Sequence, residues 1–106
     1  MDTPKRLIEM IAVQPGAVVS QTLLKSRGGS VTLFAFDAGE GLSEHSTPHE
    51  AVIQILEGSA RVTIGEQGHV ASEGQALRLP AGVPHAVNAE TPFKMLLIML
   101  RDDEID

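Results

Sequence analysis

Four histidines, at positions 45, 49, 69 and 85, are the side chains best suited to chemistry in this 106-residue chain. An imidazole can ligate a metal ion, shuttle a proton or anchor a ligand near neutral pH. There is no cysteine, which excludes disulfides, thiolate metal sites and cysteine nucleophiles. There is no Trp or Tyr, so a stacking platform for single-stranded nucleic acid could draw only on the three Phe and the His rings. Ser43, Ser46 and Thr47 lie near His45, but no glycine-framed elbow presents a serine as nucleophile. Gly28-Gly29 lacks the lysine and the following helix of a phosphate-cradling loop.

The elements that must position these histidines are short and β-rich. Thr3-Pro4 resembles an N-cap with proline at the first helical position, and Leu7, Ile8, Met10 and Ile11 fall at helical spacing. The reading is a short helix of about two turns, ended by Pro15-Gly16. Ala17 to Leu24 and Ser30 to Asp37 then read as strands around the Arg27-Gly28-Gly29 turn, with Phe34 and Phe36 on one face. Gly39-Glu40-Gly41 interrupts the series. Ala51 to Glu57 and Ala60 to Ile64 flank Gly58, and Gly65 to Gly68 reads as a four-residue hairpin loop. Short strands around Val70, over Ala76 to Leu79 and over His85 to Asn88 follow. The last strand, Phe93 to Arg101, carries Met95 to Leu100, apolar on both faces, and so requires cover on both sides. Eight to ten short strands with frequent turns predict an all-β sandwich or barrel in one domain. Residues 1–16 form an N-terminal helix or arm, 17–101 the barrel and 102–106 an acidic tail.

The formal net charge is -6, the wrong sign for phosphate backbones or anionic lipid, so neither nucleic acid nor membrane is expected as a partner. No apolar run reaches the length of a membrane span, and the first dozen residues are too interrupted for a secretory signal, which makes the cytoplasm the default location.

The glycine, proline and histidine spacing resembles that of the small single-domain bacterial cupins. Their first motif runs G-x5-H-x-H-x(3-4)-E-x6-G. Gly39, His45 and Gly58 match it, while the second His falls at Thr47 and the Glu at Ala51. Their second motif runs G-x5-P-x-G-x2-H-x3-N. Gly74, Pro80, Gly82 and His85 match in register, with the Asn one residue early at Asn88. The resemblance implies a double-stranded β-barrel of jelly-roll type. It also implies a site inside the barrel for a divalent transition metal (Fe, Mn, Ni, Zn or Cu), where His45 and His85 occupy ligand positions.

His49 is an extra candidate. Fully extended, His45 and His49 would have Cα atoms about 13 Å apart, too far for one ion, but a turn at Pro48 would shorten that. A His45/His49/His85 triad is therefore geometrically possible. Glu50 could also swing in, although its strand parity points it outward. Against these stand plainer roles: a backbone-bonded histidine at 85, a rim residue at 49, a solvent-exposed one at 69. Met95, Met99, Phe34 and Phe36 are expected to pack the core. Asp37, Glu40 and Glu44 are expected on a solvated rim.

The functional expectation is a protein that binds a small molecule in the barrel, through histidines or a histidine-held metal. The alternative is a metal-dependent enzyme of dioxygenase, isomerase or decarboxylase type, and a third reading is a pure interaction scaffold. A homodimer is expected from the apolar strands Ala17 to Leu24 and Met95 to Leu100.

Overall fold

The computed structural model describes residues 2–101. The acidic tail assigned to 102–106 lies outside them. Nine antiparallel strands follow one short turn of 3-10 helix, Leu7–Glu9. The strands are β1 (Val18–Ser26), β2 (Gly29–Phe36), β3 (Gly41–His45), β4 (Glu50–Glu57), β5 (Ser59–Ile64), β6 (Gln67–Ser72), β7 (Ala76–Leu79), β8 (His85–Asn88) and β9 (Phe93–Leu100). They form two facing sheets, ordered β1-β2-β9-β4-β7 and β3-β8-β5-β6. No helix of the described residues is long and apolar enough to cross a membrane.

The core lies between the sheets. Phe36, Ile53, Ile55, Val62, Val87, Phe93 and Met95 are almost wholly buried there. The period-two alternation selects them: in β4, Ala51, Ile53 and Ile55 face in while Val52 and Gln54 face out. Phe36 stacks on Phe93 at 4.4 Å between centroids and on Phe34 at 5.9 Å, so the two phenylalanines of β2 do share a face. Gly58 joins β4 to β5 at φ +81°, and a Cβ there would stand 2.6 Å from the Pro92 carbonyl oxygen. Only glycine meets both demands.

Three expectations need correction. The N-terminal helix is a single 3-10 turn without a side-chain cap. Isolated short helices are marginal, and an extended arm reaches farther across a sheet. Leu7, Met10, Ile11 and Val13 are thereby laid against Leu33, Ala35 and Leu96 on the outer face of the five-stranded sheet, while Ile8 points to solvent. Lys94 Nζ fixes the arm by donating to the Ile8 carbonyl at 2.7 Å. The β5–β6 hairpin is tighter than expected: Ile64 pairs with Gln67, so the loop is only Gly65-Glu66, with Gly65 at φ +61°. Gly41, expected to close a break, instead opens β3 (Gly41–His45), which pairs with β8. Its sequence, GLSEH, has little apolar content, and the register of its partner makes it a strand.

Candidate functional site

β3 and β8 run side by side at one end of the barrel. Gly41 pairs with Asn88 and Leu42 with Val87, then His45 pairs with His85. Three residues of β3 thus span what two residues of β8 span, which is a β-bulge. The bulge decides which way His45 points. Leu42 and Val87 both line the barrel cavity. Unbroken alternation from Leu42 would send Glu44 inward and His45 outward. The extra residue reverses the parity, and His45 joins His85 on the cavity wall.

The two imidazoles meet edge to face with centroids 4.4 Å apart. His85 is 7% exposed, whereas His45 sits at the open rim. Each Nδ1 lies against a backbone carbonyl two residues earlier: His45 Nδ1 and Ser43 O at 2.8 Å, His85 Nδ1 and Val83 O at 3.2 Å. A carbonyl can only accept, so each Nδ1 carries the proton and donates. In the neutral ring Nε2 is then the lone-pair nitrogen. The backbone-bonded and cavity-facing roles weighed for His85 are therefore both fulfilled.

His49 lines the same cavity from the loop between β3 and β4. Thr47 Oγ1 accepts from the His49 N–H at 2.9 Å and donates to its carbonyl at 3.3 Å, curling the chain at Pro48. Gly82 N donates to the Thr47 carbonyl at 2.7 Å, tying this loop to the Pro80–Gly82 turn. His49 Nδ1 is buried and has no hydrogen-bond partner. Such an atom marks a place where a ligand or ion could complete the structure.

The rest of the wall is apolar. Ala51, Ile53, Leu79, Met95, Leu97 and Met99 enclose a cavity of about 200 Å³ with Leu42 and Val87. No lysine, arginine, aspartate or glutamate lines it. Met95 and Met99 were expected as core alone. Met95 is buried in the core, and both also face the cavity, because β9 turns its odd-numbered residues inward at this end of the barrel. Leu42, Leu79 and Val87 were missed as lining residues. Their strands gave a period-two signal, but nothing in sequence said which end of the barrel stays open.

Glu50 does not enter the site. Its carboxylate receives Arg78 Nε at 2.8 Å, Arg78 Nη2 at 3.1 Å and the Ala81 N–H at 3.3 Å on the outside of the barrel. The Arg78 hydrogen bonds, then the Ala81 amide, hold its pKa below the usual carboxylate range. His69 is exposed on β6, as expected. Asp37 is more than a solvated rim residue: it receives the Gly16 N–H at 2.7 Å and its neighbour Ala38 N–H at 2.8 Å, in that order of effect, and its pKa is lowered.

Residues 32–99, which carry most of these two sheets and the histidine-rimmed cavity, match the cupin domain family. The chain belongs to the cupins. Among solved structures, a cupin superfamily protein from Desulfitobacterium hafniense is 31% identical, with a TM-score of 0.91, over 96% of this chain and 94% of that one. A conserved protein of unknown function from Streptococcus pyogenes is also 31% identical, with a TM-score of 0.92, over 97% and 90%. An uncharacterized protein of Streptomyces coelicolor is 34% identical over 62 residues, which is 58% of this chain and 59% of that protein's length. The chain thus spans less than two thirds of that curated relative.

Metal-binding cupins set a second His and a Glu where this chain has Thr47 and Ala51. Donor chemistry alone suits a borderline transition ion, since imidazole nitrogens prefer such ions to Mg²⁺ or Ca²⁺. The arrangement is less complete. Among the described residues no three His, Cys, Asp or Glu side chains stand together as a metal-holding group.

Proposed function

We propose that this cupin binds a small organic molecule in the barrel cavity, with His45 and His85 as polar anchors. The observation that carries the reading is the pairing of two backbone-fixed imidazoles with an otherwise apolar wall. Ligand sites commonly combine a mainly apolar enclosure with a few oriented polar groups. Here His85 supplies the deep anchor, His45 the rim anchor, and the Thr47–Gly82 hydrogen bond holds the mouth in shape.

A second reading has a specific observation behind it. His49 lines the same cavity and its buried Nδ1 has no hydrogen-bond partner, so His45, His49 and His85 are the residues that would hold a divalent transition ion. Bound there, such an ion would supply Lewis acidity to a substrate, which is the enzyme alternative of dioxygenase, isomerase or decarboxylase type. Elemental analysis of the purified protein separates the readings. Stoichiometric transition metal, lost in His85→Ala and kept in His69→Ala, supports the second. Metal-free protein that still takes up a ligand supports the first.

The same proposal includes a homodimer of a protein that works in the cytoplasm. Leu24, Val31, Ile98, Val52 and Arg78 are cross-strand neighbours in one row over all five strands of the larger sheet. Leu24 is 62% exposed and Leu100, beyond the row, 58%. The N-terminal arm covers the other half of this face and leaves the row open. A second copy, meeting it row to row, brings apolar strands together between the charged Glu50–Arg78 pairs at their margins. Light scattering at micromolar concentration tests it, and a monomeric mass refutes it.

A further inference from the structure

The small-molecule reading can be taken one step further, to the class of molecule, and the step rests on that reading. The cavity offers hydrogen-bond acceptors. His45 and His85 commit Nδ1 to backbone carbonyls, so in the neutral form of each ring the acceptor left for a ligand is the Nε2 lone pair. The Thr47 hydroxyl is committed to the His49 backbone. A ligand head group that fits must therefore donate a hydrogen bond. It should also be uncharged, since no lysine or arginine on the wall compensates a buried carboxylate or phosphate.

The body of the ligand is set by size and by two side chains. An apolar cavity of about 150 Å³ is enough to take up benzene. At about 200 Å³ this one holds a single ring with a small substituent. Met95 and Met99 place flexible, polarizable thioethers on the wall, and methionine sulfur packs favourably against aromatic rings. The protein has no Trp or Tyr, so an aromatic cage for an organic cation is missing as well.

We propose that the cavity selects a small monocyclic phenol, its hydroxyl donating to the His45–His85 pair and its ring lying against Met95 and Met99. The hydroxyl is a better donor than an aliphatic alcohol and stays protonated at neutral pH. The ring matches the cavity in volume.

The test uses the full chain, freed of metal by a chelator and labelled with 13C at the methionine methyls. Met95 and Met99 report on the cavity, and Met10, in the cluster on the outer face, is the internal control. The probes are 4-methylphenol, toluene, cyclohexanol and hexanoate. The expected result is saturable shifts of Met95 and Met99 but not Met10, with 4-methylphenol binding roughly fivefold tighter than toluene, the worth of one net hydrogen bond. In His45→Ala, which removes one of the two acceptor rings at the cavity rim, the advantage of 4-methylphenol over toluene shrinks. If hexanoate or cyclohexanol moves the cavity methyls at lower concentration than 4-methylphenol, the phenol assignment is overturned and the small-molecule site stands. Toluene binding as tightly as 4-methylphenol would likewise overturn the phenol and leave the site. If no probe moves Met95 or Met99, the small-molecule reading fails with it.

Discussion

Restoring the two family ligand positions, by Thr47→His with Ala51→Glu, separates an organic-ligand site from a metal site. Ala51 faces the cavity at 8% exposure, so a glutamate there buries its carboxylate among Ile53, Leu79 and Met99 with no lysine or arginine on the wall. At about pH 8.5, above the ordinary imidazole range, that charge lacks a partner. A rise of about two pKa units from desolvation corresponds to about 2.7 kcal/mol of lost stability. For a domain of this length each kcal/mol moves Tm by roughly 4–8 °C, so the metal-free double variant should melt about 10–20 °C lower. A metal that binds only the folded state returns about 2.7 kcal/mol when present at 100 times its Kd. Thermal unfolding followed by circular dichroism, with chelator and then with Ni²⁺ or Zn²⁺, reads both effects. The expected pattern is a destabilised variant that metal rescues, beside an unaltered protein that metal moves by a few degrees at most. An equal metal-induced rise in the unaltered protein would show that His45, His49 and His85 already complete a shell. The reasoning from Thr47 and Ala51 would then be refuted.

Other outcomes follow from the same geometry. Gly58→Ala should cost more than Gly74→Ala: both sit near φ +80°, but only at Gly58 does the new Cβ meet backbone, so urea midpoints that fall equally would contradict the close-approach argument. Lowered carboxylate pKa values at Glu50 and Asp37 stabilise the fold above the unfolded carboxylate range, and this contribution is lost as pH falls through the lowered folded values. Glu50→Gln should accordingly flatten the acid limb of a stability–pH profile, and a profile of unchanged steepness would deny the Arg78 clasp its role. Ile98→Lys, at the centre of the open row on the larger sheet, should halve the mass seen by light scattering while circular dichroism at room temperature still shows the β-barrel.

Most of the framework was legible because it rests on local rules. Alternation in Ala51–Glu57 and Ala60–Ile64 fixes which side chains face the core, and Gly58, Gly74 and Gly82 sit at positive φ where turns demand it. The Gly74–Pro80–Gly82–His85 spacing pointed to the family and put His85 in the cavity. The N-terminal segment differs from its sequence pattern because Leu7, Met10 and Ile11 satisfy helical spacing and also suit an arm laid across a sheet. Packing against Leu33 and Ala35 selected the arm.

Sequence by itself therefore determined the strands other than β3, their inward faces and the place of His85, since these depend on neighbours one to four residues away. The motif spacing pointed His45 into the barrel as well, but the bulge that turns it inward was decided by tertiary structure alone. That direction depends on one unpaired residue in β3, and a bulge exists only relative to the partner strand that it slips against. It decided equally that Met95 and Met99 border a cavity, because whether an inward side chain meets packing or open space is set by how far apart the two sheets stand at that end of the barrel.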